Sequence, residues 1–186
     1  DNYMGGVQAA SLLSKTNCDI LIHINSKISP EIPAYGRIKG FQDICEEKHF
    51  PYEMILTELG NSYEETTEKI AEIFQIIEEK YPNKRKGIFI SNDTHANILL
   101  NMIIRKYGKL PETYKIVGFD NSSIASEAVV PISTVGQQMT VIAQEAMELL
   151  VMQMNERKKR RPTPLKEPIH KVVTPILFRR ETTKIE

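Results

Sequence analysis

Short apolar stretches alternate with amphipathic ones along most of this chain. The apolar stretches are rich in β-branched residues, which is typical of strands, and they lie at ILIHIN (20–25), YEMILTE (52–58), KGIFIS (86–91) and YKIVGF (114–119). Between them, apolar residues recur at three- and four-residue spacing, which predicts helices over 36–49, 62–80 and 94–107. This alternation predicts an α/β fold with a parallel sheet covered by helices on both faces.

Polar residues at two of the predicted helix starts indicate how these helices begin. Ser62 is followed by Glu65 three residues later, which resembles a capping box, in which the two side chains satisfy each other's backbone N–H groups. Asp93 stands just before the helix over 94–107, so we expect its carboxylate to cap that helix.

The two ends of the chain depart from this regular alternation. An amphipathic helix is predicted over 1–15, and no strand precedes it. A second is predicted over 138–156, and the charged, proline-rich connector RKKRRPTPLKEP follows it. The closing stretch HKVVTPILFRR (170–180) predicts a strand, and its Pro175 favours a sheet edge or a bulge. We expect the central block to leave the apolar faces of both outlying helices uncovered, as parts of a second, incomplete lobe.

This pattern divides the chain into four segments belonging to two lobes. We predict that residues 17–135 form one lobe, which also carries the connector and closing strand over 161–186, and that the helices over 1–16 and 136–160 belong to the second lobe.

Composition and charge narrow the class of protein. The 186 residues are 41% hydrophobic and 26% charged, which is ordinary for a soluble globular protein. The formal net charge is zero, which argues against a surface that binds nucleic acid mainly through its total charge. No run approaches the roughly 20 apolar residues that cross a membrane. Cys18 and Cys45 are expected to be reduced, buried thiols of a cytoplasmic protein, with a single disulfide as the alternative.

Three polar side chains follow the predicted strands at their carboxyl ends. Asn92 follows the strand 86–91, Asp120 follows YKIVGF, and Arg37 opens the helix after the first strand. Ligands of open parallel sheets bind beyond these strand ends, and a carboxylate, an amide and a guanidinium together suit a ligand with several hydroxyl groups. The alternative is structural: Asp93 and Asp120 cap helices, and Arg37 is a surface charge.

Other chemistry finds little support in the residue pattern. Cys45 and His49 share a helical face, but no second pair stands at metal-ligand spacing. The cluster NDTH (92–95) lacks a nucleophile paired with a base. Gly5-Gly6 is too short for a phosphate loop and predicts close packing of the first helix against another backbone. We therefore predict no catalytic residue, no metal and no cofactor.

Taken in order, several segments resemble the effector-binding core of the lac-repressor and galactose-repressor family of transcription regulators. DNYMGGVQAASLL is similar to the family's D-N-x-x-G-G-x-x-A-A helix, and GRIKGF to its R-x-x-G-F segment. SNDTHA and YKIVGFD resemble its N-D-x-x-A and I-V-G-F-D segments, and PISTVGQQM and TPILFRRETT resemble its later ones. The succession of these segments is specific, whereas each alone is weak.

The resemblance implies a type I periplasmic-binding-protein fold, a three-layer sandwich in two lobes with a small effector in the cleft. By position, it implies that the ligand contacts are Arg37, Asn92, Asp120, Asn61 and Gln137. This chain departs from the family pattern at Asn61, where an aromatic residue is frequent, at Gly136, where Arg or Lys is usual, and at Ala143, where Gly is usual.

The resemblance also implies a function and partners. We expect a cytoplasmic regulator, not an enzyme, whose sugar or sugar-phosphate effector changes the affinity of a helix-turn-helix head for operator DNA. The resemblance further implies that this head and part of the amino-terminal lobe lie outside the given sequence. We expect a homodimer through the helix 94–107 and the segment 122–130. One alternative is a sugar-binding transport receptor of the same fold. Another is an enzyme with a flavodoxin-like fold, which would need a nucleophile or a phosphate loop that the sequence does not show.

Overall fold

A single six-stranded sheet organises the chain in the computed structural model, which describes residues 1–161, 163, 165 and 167–185. The strand order is β2-β1-β3-β4-β5-β6; the first five strands are parallel and β6 is antiparallel to β5. The strands are β1 (Ile20–Asn25), β2 (Tyr52–Leu56), β3 (Lys86–Ile90), β4 (Tyr114–Phe119), β5 (Ser133–Gly136) and β6 (Ile176–Phe178). The predicted α/β fold with a mostly parallel sheet is confirmed.

Helices connect the strands and cover both faces of the sheet. They are α1 (Asn2–Leu13), α2 (Tyr35–Glu47), α3 (Tyr63–Lys80), α4 (Asp93–Tyr107), α5 (Ser123–Glu127) and α6 (Met139–Arg157), with a short 3-10 helix at Glu181–Thr183. On one face, α1 and α2 contribute Leu13 and Phe41 to a core with Phe89 and Phe119. On the other face, α3 and α4 bury the side chains of Ile70, Ile77, Leu99 and Ile103 against Ile22, Ile88 and Ile116. The sheet with one helical layer on each face forms the predicted three-layer sandwich.

Helix α1 is an integral part of this layer, so the prediction that its apolar face is uncovered is wrong. Ala9, Ala10 and Leu13 are fully buried. The helix approaches α2 through two glycines: a Cβ on Gly6 would lie 2.1 Å from the carbonyl oxygen of Arg37, and one on Gly40 would lie 2.1 Å from that of Tyr3. Only glycine allows backbones this close, and the close packing predicted for the first helix is confirmed.

Helix α6, in contrast, has no buried residue, as predicted. Its exposed apolar side chains include Met139, Met147, Leu150 and Val151. No helix in the described part of the chain is long and apolar enough to cross a membrane. Residues 162, 164 and 166 of the predicted connector lie outside the described residues.

The closing segment is shorter as a strand than predicted but is firmly attached to the sheet. Within the predicted stretch 170–180, only Ile176–Phe178 forms a strand, and it lies at the sheet edge, as Pro175 indicated. The hydroxyl of Thr182 donates to the carbonyl of Ile116 at 2.7 Å and accepts from the backbone N–H of Ser133 at 2.9 Å. The sequence pattern missed β5. The bond from Ser133 to Thr182 explains how this strand buries a polar residue.

Two local predictions have mixed outcomes. Ser62 caps α3 and accepts from the N–H of Glu65, but the Glu65 carboxylate accepts from the N–H of Asn61 rather than closing a capping box on Ser62. Cys18 and Cys45 are both free and buried, as expected of reduced thiols.

Candidate functional site

The strand order places a crevice at the carboxyl ends of β1 and β3. The chain leaves β1 toward β2 on one side, and it returns to β3 on the other side of β1. Such a switch point is where open α/β sheets bind ligands. One side chain bridges it: Arg37, in the first turn of α2, donates from Nη1 to the carbonyl of Ser91 beyond β3 at 2.8 Å.

Arg37 is half-buried and held from several sides. Its guanidinium carbon lies 4.2 Å from the centroid of the Phe119 ring, a cation-π contact. Its Nε is buried and has no hydrogen-bond partner among the residues that the structure describes. Burial lowers the pKa of Arg37, and the nearby Asp120 carboxylate opposes that shift. An arginine remains charged in proteins, so the site holds a positioned cation with donors to spare.

Asp120 follows β4 on the same rim, and its side chain is exposed. Its backbone N–H donates to the carbonyl of Val135 at 2.9 Å, and its carboxylate accepts from Nε2 of Gln137 at 3.2 Å. Its φ of 101° lies in the left-handed region, which is unfavourable for a residue with a Cβ. The cap of α5 is Ser122, so Asp120 does not cap that helix.

A hydrogen-bond network fixes the turn that carries Asp120. The next residue, Asn121, also has a positive φ, 54°. Its N–H donates to the hydroxyl of Thr134 at 3.3 Å, and its side-chain oxygen accepts from Nη2 of Arg180 at 2.7 Å. Backbone strain at a site persists only where the surroundings fix it, and this network supplies that constraint.

Asp93 has a structural role, although not the predicted one. The cap of α4 is Asn92, whose side chain accepts from the N–H of His95 at 2.8 Å; the prediction that Asp93 caps this helix is therefore wrong. Asp93 is the first residue of the helix and is buried. Its carboxylate accepts from the hydroxyl of Thr134 at 2.6 Å and from the N–H of Ser122 at 2.7 Å, which ties α4 to the turn after β4.

Asn92 lies on the rim, while its side-chain oxygen is used in the cap. Beside it, the hydroxyl of Ser91 lies 2.5 Å from Nδ1 of His95. Burial lowers the pKa of His95, which favours its neutral form. The amide N–H groups of Asn92 take no part in this cap.

Asn61 stands apart from the other predicted residues. It lies in the exposed loop after the edge strand β2, and its N–H donates to Glu65 at 2.8 Å. In the described part of the chain, no hydrogen bond links it to Arg37, Asn92, Asp120 or Gln137. At Gly136, a Cβ would lie 2.6 Å from Cβ of Asn121, so the longer side chain usual in the family does not fit there.

The sequence pattern overlooked one residue of the rim. Asn25 ends β1 with only 5% of its surface exposed, and it follows Ile24, whose carbonyl accepts from the N–H of Ser91 at 2.9 Å. It is the last residue of its strand, one step before the level of Asn92 and Asp120, and its place at the end of the apolar run ILIHIN could have been read from the sequence.

A second concave surface lies between α1 and α6. It is walled mainly by apolar side chains, among them Tyr3, Ile142 and Leu149. A ligand site needs a few convergent polar groups, and these converge on the rim at Arg37 and Asp120. We therefore assign the candidate site to the rim. Within the described residues, no three His, Cys, Asp or Glu side chains are placed to hold a metal ion.

Comparison with known proteins gives a consistent result. The model of the periplasmic binding protein-like domain family matches residues 25–180. The sucrose operon repressor of Streptococcus mutans serotype c is 26% identical over 157 residues, which are 84% of this chain and 46% of the repressor. The chain spans about half the length of the curated relatives it matches.

Solved structures share the fold. A LacI-family transcriptional regulator from Arthrobacter sp. FB24, in complex with lactose, has a TM-score of 0.78 and 20% identity, covering 99% of this chain and 65% of that one. A periplasmic binding protein/LacI transcriptional regulator from Alkaliphilus metalliredigens QYMF, in complex with D-xylulofuranose, has a TM-score of 0.73 and 24% identity, covering 99% and 64%.

Proposed function

Since this chain belongs to the periplasmic binding protein-like domain family, and its resemblance to the lac-repressor and galactose-repressor regulators is confirmed, we propose that it senses a small polyhydroxylated effector for a DNA-binding regulator. The effector would be a sugar or a sugar phosphate. The observation that carries the proposal is the convergence of Arg37, Asp120 and Gln137 on one rim of the sheet.

The chemistry of these three groups suits neighbouring hydroxyls. An ionised carboxylate accepts hydrogen bonds only, so Asp120 would accept hydrogen bonds from two hydroxyl groups of the ligand. The guanidinium of Arg37 donates only, and its charge strengthens the bonds it makes. The amides of Gln137 and Asn92 supply further bonds around the ligand. Asn61 would contact only a ligand that is long enough to reach the loop after β2.

The relatives support a binding role without chemistry on the ligand. The curated relatives are repressors of sugar operons, among other regulators, and the two solved neighbours hold sugars. We propose that this chain likewise binds its effector and releases it unchanged. A cytoplasmic location and a DNA-reading head outside this chain follow from the same proposal.

The mechanism we propose is a shift between two arrangements of two lobes. Effector bound on the rim would favour one arrangement through its unequal contacts in the two, and that change would alter DNA affinity. The exposed apolar surface of α6 requires a cover, which a second lobe would supply.

We further propose that two copies associate through α4 and the segment 122–130. Ile124 and Val129 are exposed apolar side chains of this region, and Val129 has 77% of its surface exposed. A charge at the more exposed of them, Val129→Glu, would weaken a dimer, which sedimentation of the full-length protein would measure.

A thermal-shift screen of the full-length protein against sugars and sugar phosphates tests the proposal. A true effector raises the melting temperature in a concentration-dependent way. The variant Arg37→Met should abolish the shift, whereas Arg105→Lys, an exposed arginine in the last turn of α4, should preserve it. No shift with any member of the panel would contradict a sugar effector.

A further inference from the structure

We propose that Asn25 is a specificity-determining residue of the rim, that its amide donates to an acceptor oxygen of the effector, and that the buried His23 holds it in place. The inference rests on the proposed function and names a contact that the sequence pattern did not supply. It also favours effectors with an acceptor oxygen above the end of β1.

Asn25 occupies the centre of the switch point. Its strand, β1, lies between β2 and β3, and its own carbonyl accepts from the N–H of Thr57 at 3.1 Å. On the β3 side, Ile24 is paired with Ile90, the N–H of Ser91 donates to the carbonyl of Ile24, and the carbonyl of Ser91 accepts from Arg37. Asn25 is therefore level with Ser91, the residue that Arg37 contacts.

His23 lies two residues earlier, on the same face of the sheet, and its hydrogen bonds define its protonation. Its Nδ1 is 3.0 Å from the carbonyl oxygen of Phe89. A carbonyl only accepts, so Nδ1 carries the proton of this bond and Nε2 of the neutral ring is an acceptor. Nδ2 of Asn25 lies 3.3 Å from Nε2 and donates to it.

The ring of His23 is fully buried in an aromatic cluster with Phe41 and Phe89, whose ring centroids are 5.2 and 4.6 Å away. This packing restricts the ring's rotation. Burial lowers its pKa to about 4, so the ring is neutral at physiological pH. A neutral acceptor of restricted rotation beneath the rim fixes the rotation of the Asn25 amide.

The amide of Asn25 is fixed from its other side as well. Its side-chain oxygen accepts from the N–H of Ser26 at 2.8 Å. The amide nitrogen has two hydrogens, and the described residues give it one acceptor, His23. A buried donor without an acceptor is costly. Nε of Arg37, on the same rim, is a buried donor without a partner among the described residues, whereas Nδ2 of Asn25 has one partner and a second hydrogen left unused.

Two donors with unused capacity therefore lie near the switch point, and both need oxygen acceptors. A hydroxyl, ring or phosphate oxygen of the effector would satisfy them. Because the geometry of Asn25 is set before the ligand arrives, the contact discriminates between ligands that have this oxygen and analogues that lack it.

The test is calorimetry of the full-length protein with the effector found by thermal shift and with its singly deoxygenated analogues. Asn25→Ala and Asn25→Asp should each weaken binding of the effector by about 3- to 10-fold, the value of one hydrogen bond. With the analogue that lacks the contacted oxygen, Asn25→Ala should bind as the wild type does. Asn17→Gly, which replaces an exposed asparagine in the turn before β1, is the control and should leave effector binding unchanged.

His23 is tested as a positioning residue by a double-variant cycle. His23→Phe keeps an aromatic ring in the stack but removes the acceptor, so it should weaken binding in the wild-type background and have no further effect beside Asn25→Ala. Equal losses in both backgrounds would overturn the positioning role.

The outcomes separate this inference from the proposed function. Unchanged affinity of both Asn25 variants for the effector and for every analogue, with binding still lost in Arg37→Met, would overturn the role of Asn25 alone. Unchanged binding in Arg37→Met would overturn the proposed site, and with it this inference. Folding of each variant is checked by its unfolding midpoint, and Asn25→Asp, which has nearly the same shape, keeps the test valid if the alanine variant is unstable.

Discussion

The guanidinium of Arg37 lies over the ring of Phe119, 4.2 Å from its centroid, while its Nη1 donates to the carbonyl of Ser91. These contacts come from the ends of two different strands, β4 and β3. The backbone of Arg37 is also fixed, because its carbonyl lies against Gly6 of α1. A cation held in this way before a ligand arrives binds without a large ordering cost.

Replacing Arg37 by lysine should weaken effector binding almost as much as replacing it by methionine. Lysine keeps the charge but lacks the planar group that spans Phe119 and Ser91. We expect at least a 10-fold loss of affinity in Arg37→Lys, measured by calorimetry on the full-length protein. A lysine variant with wild-type affinity would mean that charge alone suffices.

Asp120→Gly should make the protein more stable while it loses effector binding. The φ of 101° is unfavourable for aspartate and costs nothing for glycine, so the free energy of unfolding should rise, by up to about 1 kcal/mol after the entropy of the glycine is counted. Asp120→Asn keeps a similar side chain and separates the loss of charge from the relief of strain. A drop in stability of the glycine variant would contradict strain at this residue.

Gly118→Ala should destabilise the protein through Asp93. A Cβ at this position would lie 2.3 Å from Oδ1 of Asp93, which accepts from Thr134, while Oδ2 of the same carboxylate accepts from Ser122. We expect the free energy of unfolding to fall by about 1 to 3 kcal/mol, as overpacking does in cores. Asp93→Ala itself destabilises the protein, but in that background Gly118→Ala should lower the free energy of unfolding much less than it does in the wild type. Additive losses in urea unfolding would show that the clash is not with this carboxylate.

Stability should fall on acidification because of His23. Its pKa is about 4 in the folded protein and near 6.5 when unfolded, so the unfolded chain binds the proton first. The stabilisation is therefore complete above pH 6.5 and is lost as the pH falls toward 4, by about 3 kcal/mol. Burial lowers the pKa of His95 too, so it acts in the same direction.

Urea unfolding between pH 7 and pH 4 measures this dependence. The variant His23→Phe is less stable at pH 7 but should have a shallower pH slope, since His95 and the carboxylates remain. The variant His95→Gln provides the matched comparison for the second histidine. Equal slopes for wild type and His23→Phe would contradict a neutral, buried His23.

The fold was largely predictable because the buried strands are nearly continuous apolar runs. The strand β5 escaped detection because Ser133 and Thr134 are polar yet fully buried. Their burial depends on partners far along the chain, Thr182 and Asp93, which no local pattern reveals. Gly6 predicted close packing of α1 against another backbone, but that backbone belongs to the distant helix α2, which no local pattern identifies, so the cover of α1 was missed.

The candidate site was predictable to the extent that strand ends converge. Arg37, Asp120 and Gln137 meet as expected, because the carboxyl ends of parallel strands share one edge. Asn25 shares that edge, but its orientation depends on the bond between His23 and Phe89, which are 66 positions apart. The ligand role of all these residues remains a prediction.

A ligand on this rim is expected to change the DNA affinity of the regulator, which DNA titration measures. DNA that the full-length protein selects from a random pool is titrated by fluorescence anisotropy with and without the effector, for the wild type and for Asp120→Asn. We predict that the effector shifts the DNA affinity of the wild type at least 5-fold, as is typical of allosteric coupling, and leaves that of the variant unchanged. If no sugar or sugar phosphate tested changes the DNA affinity of the wild type, a regulatory ligand site on this rim is contradicted.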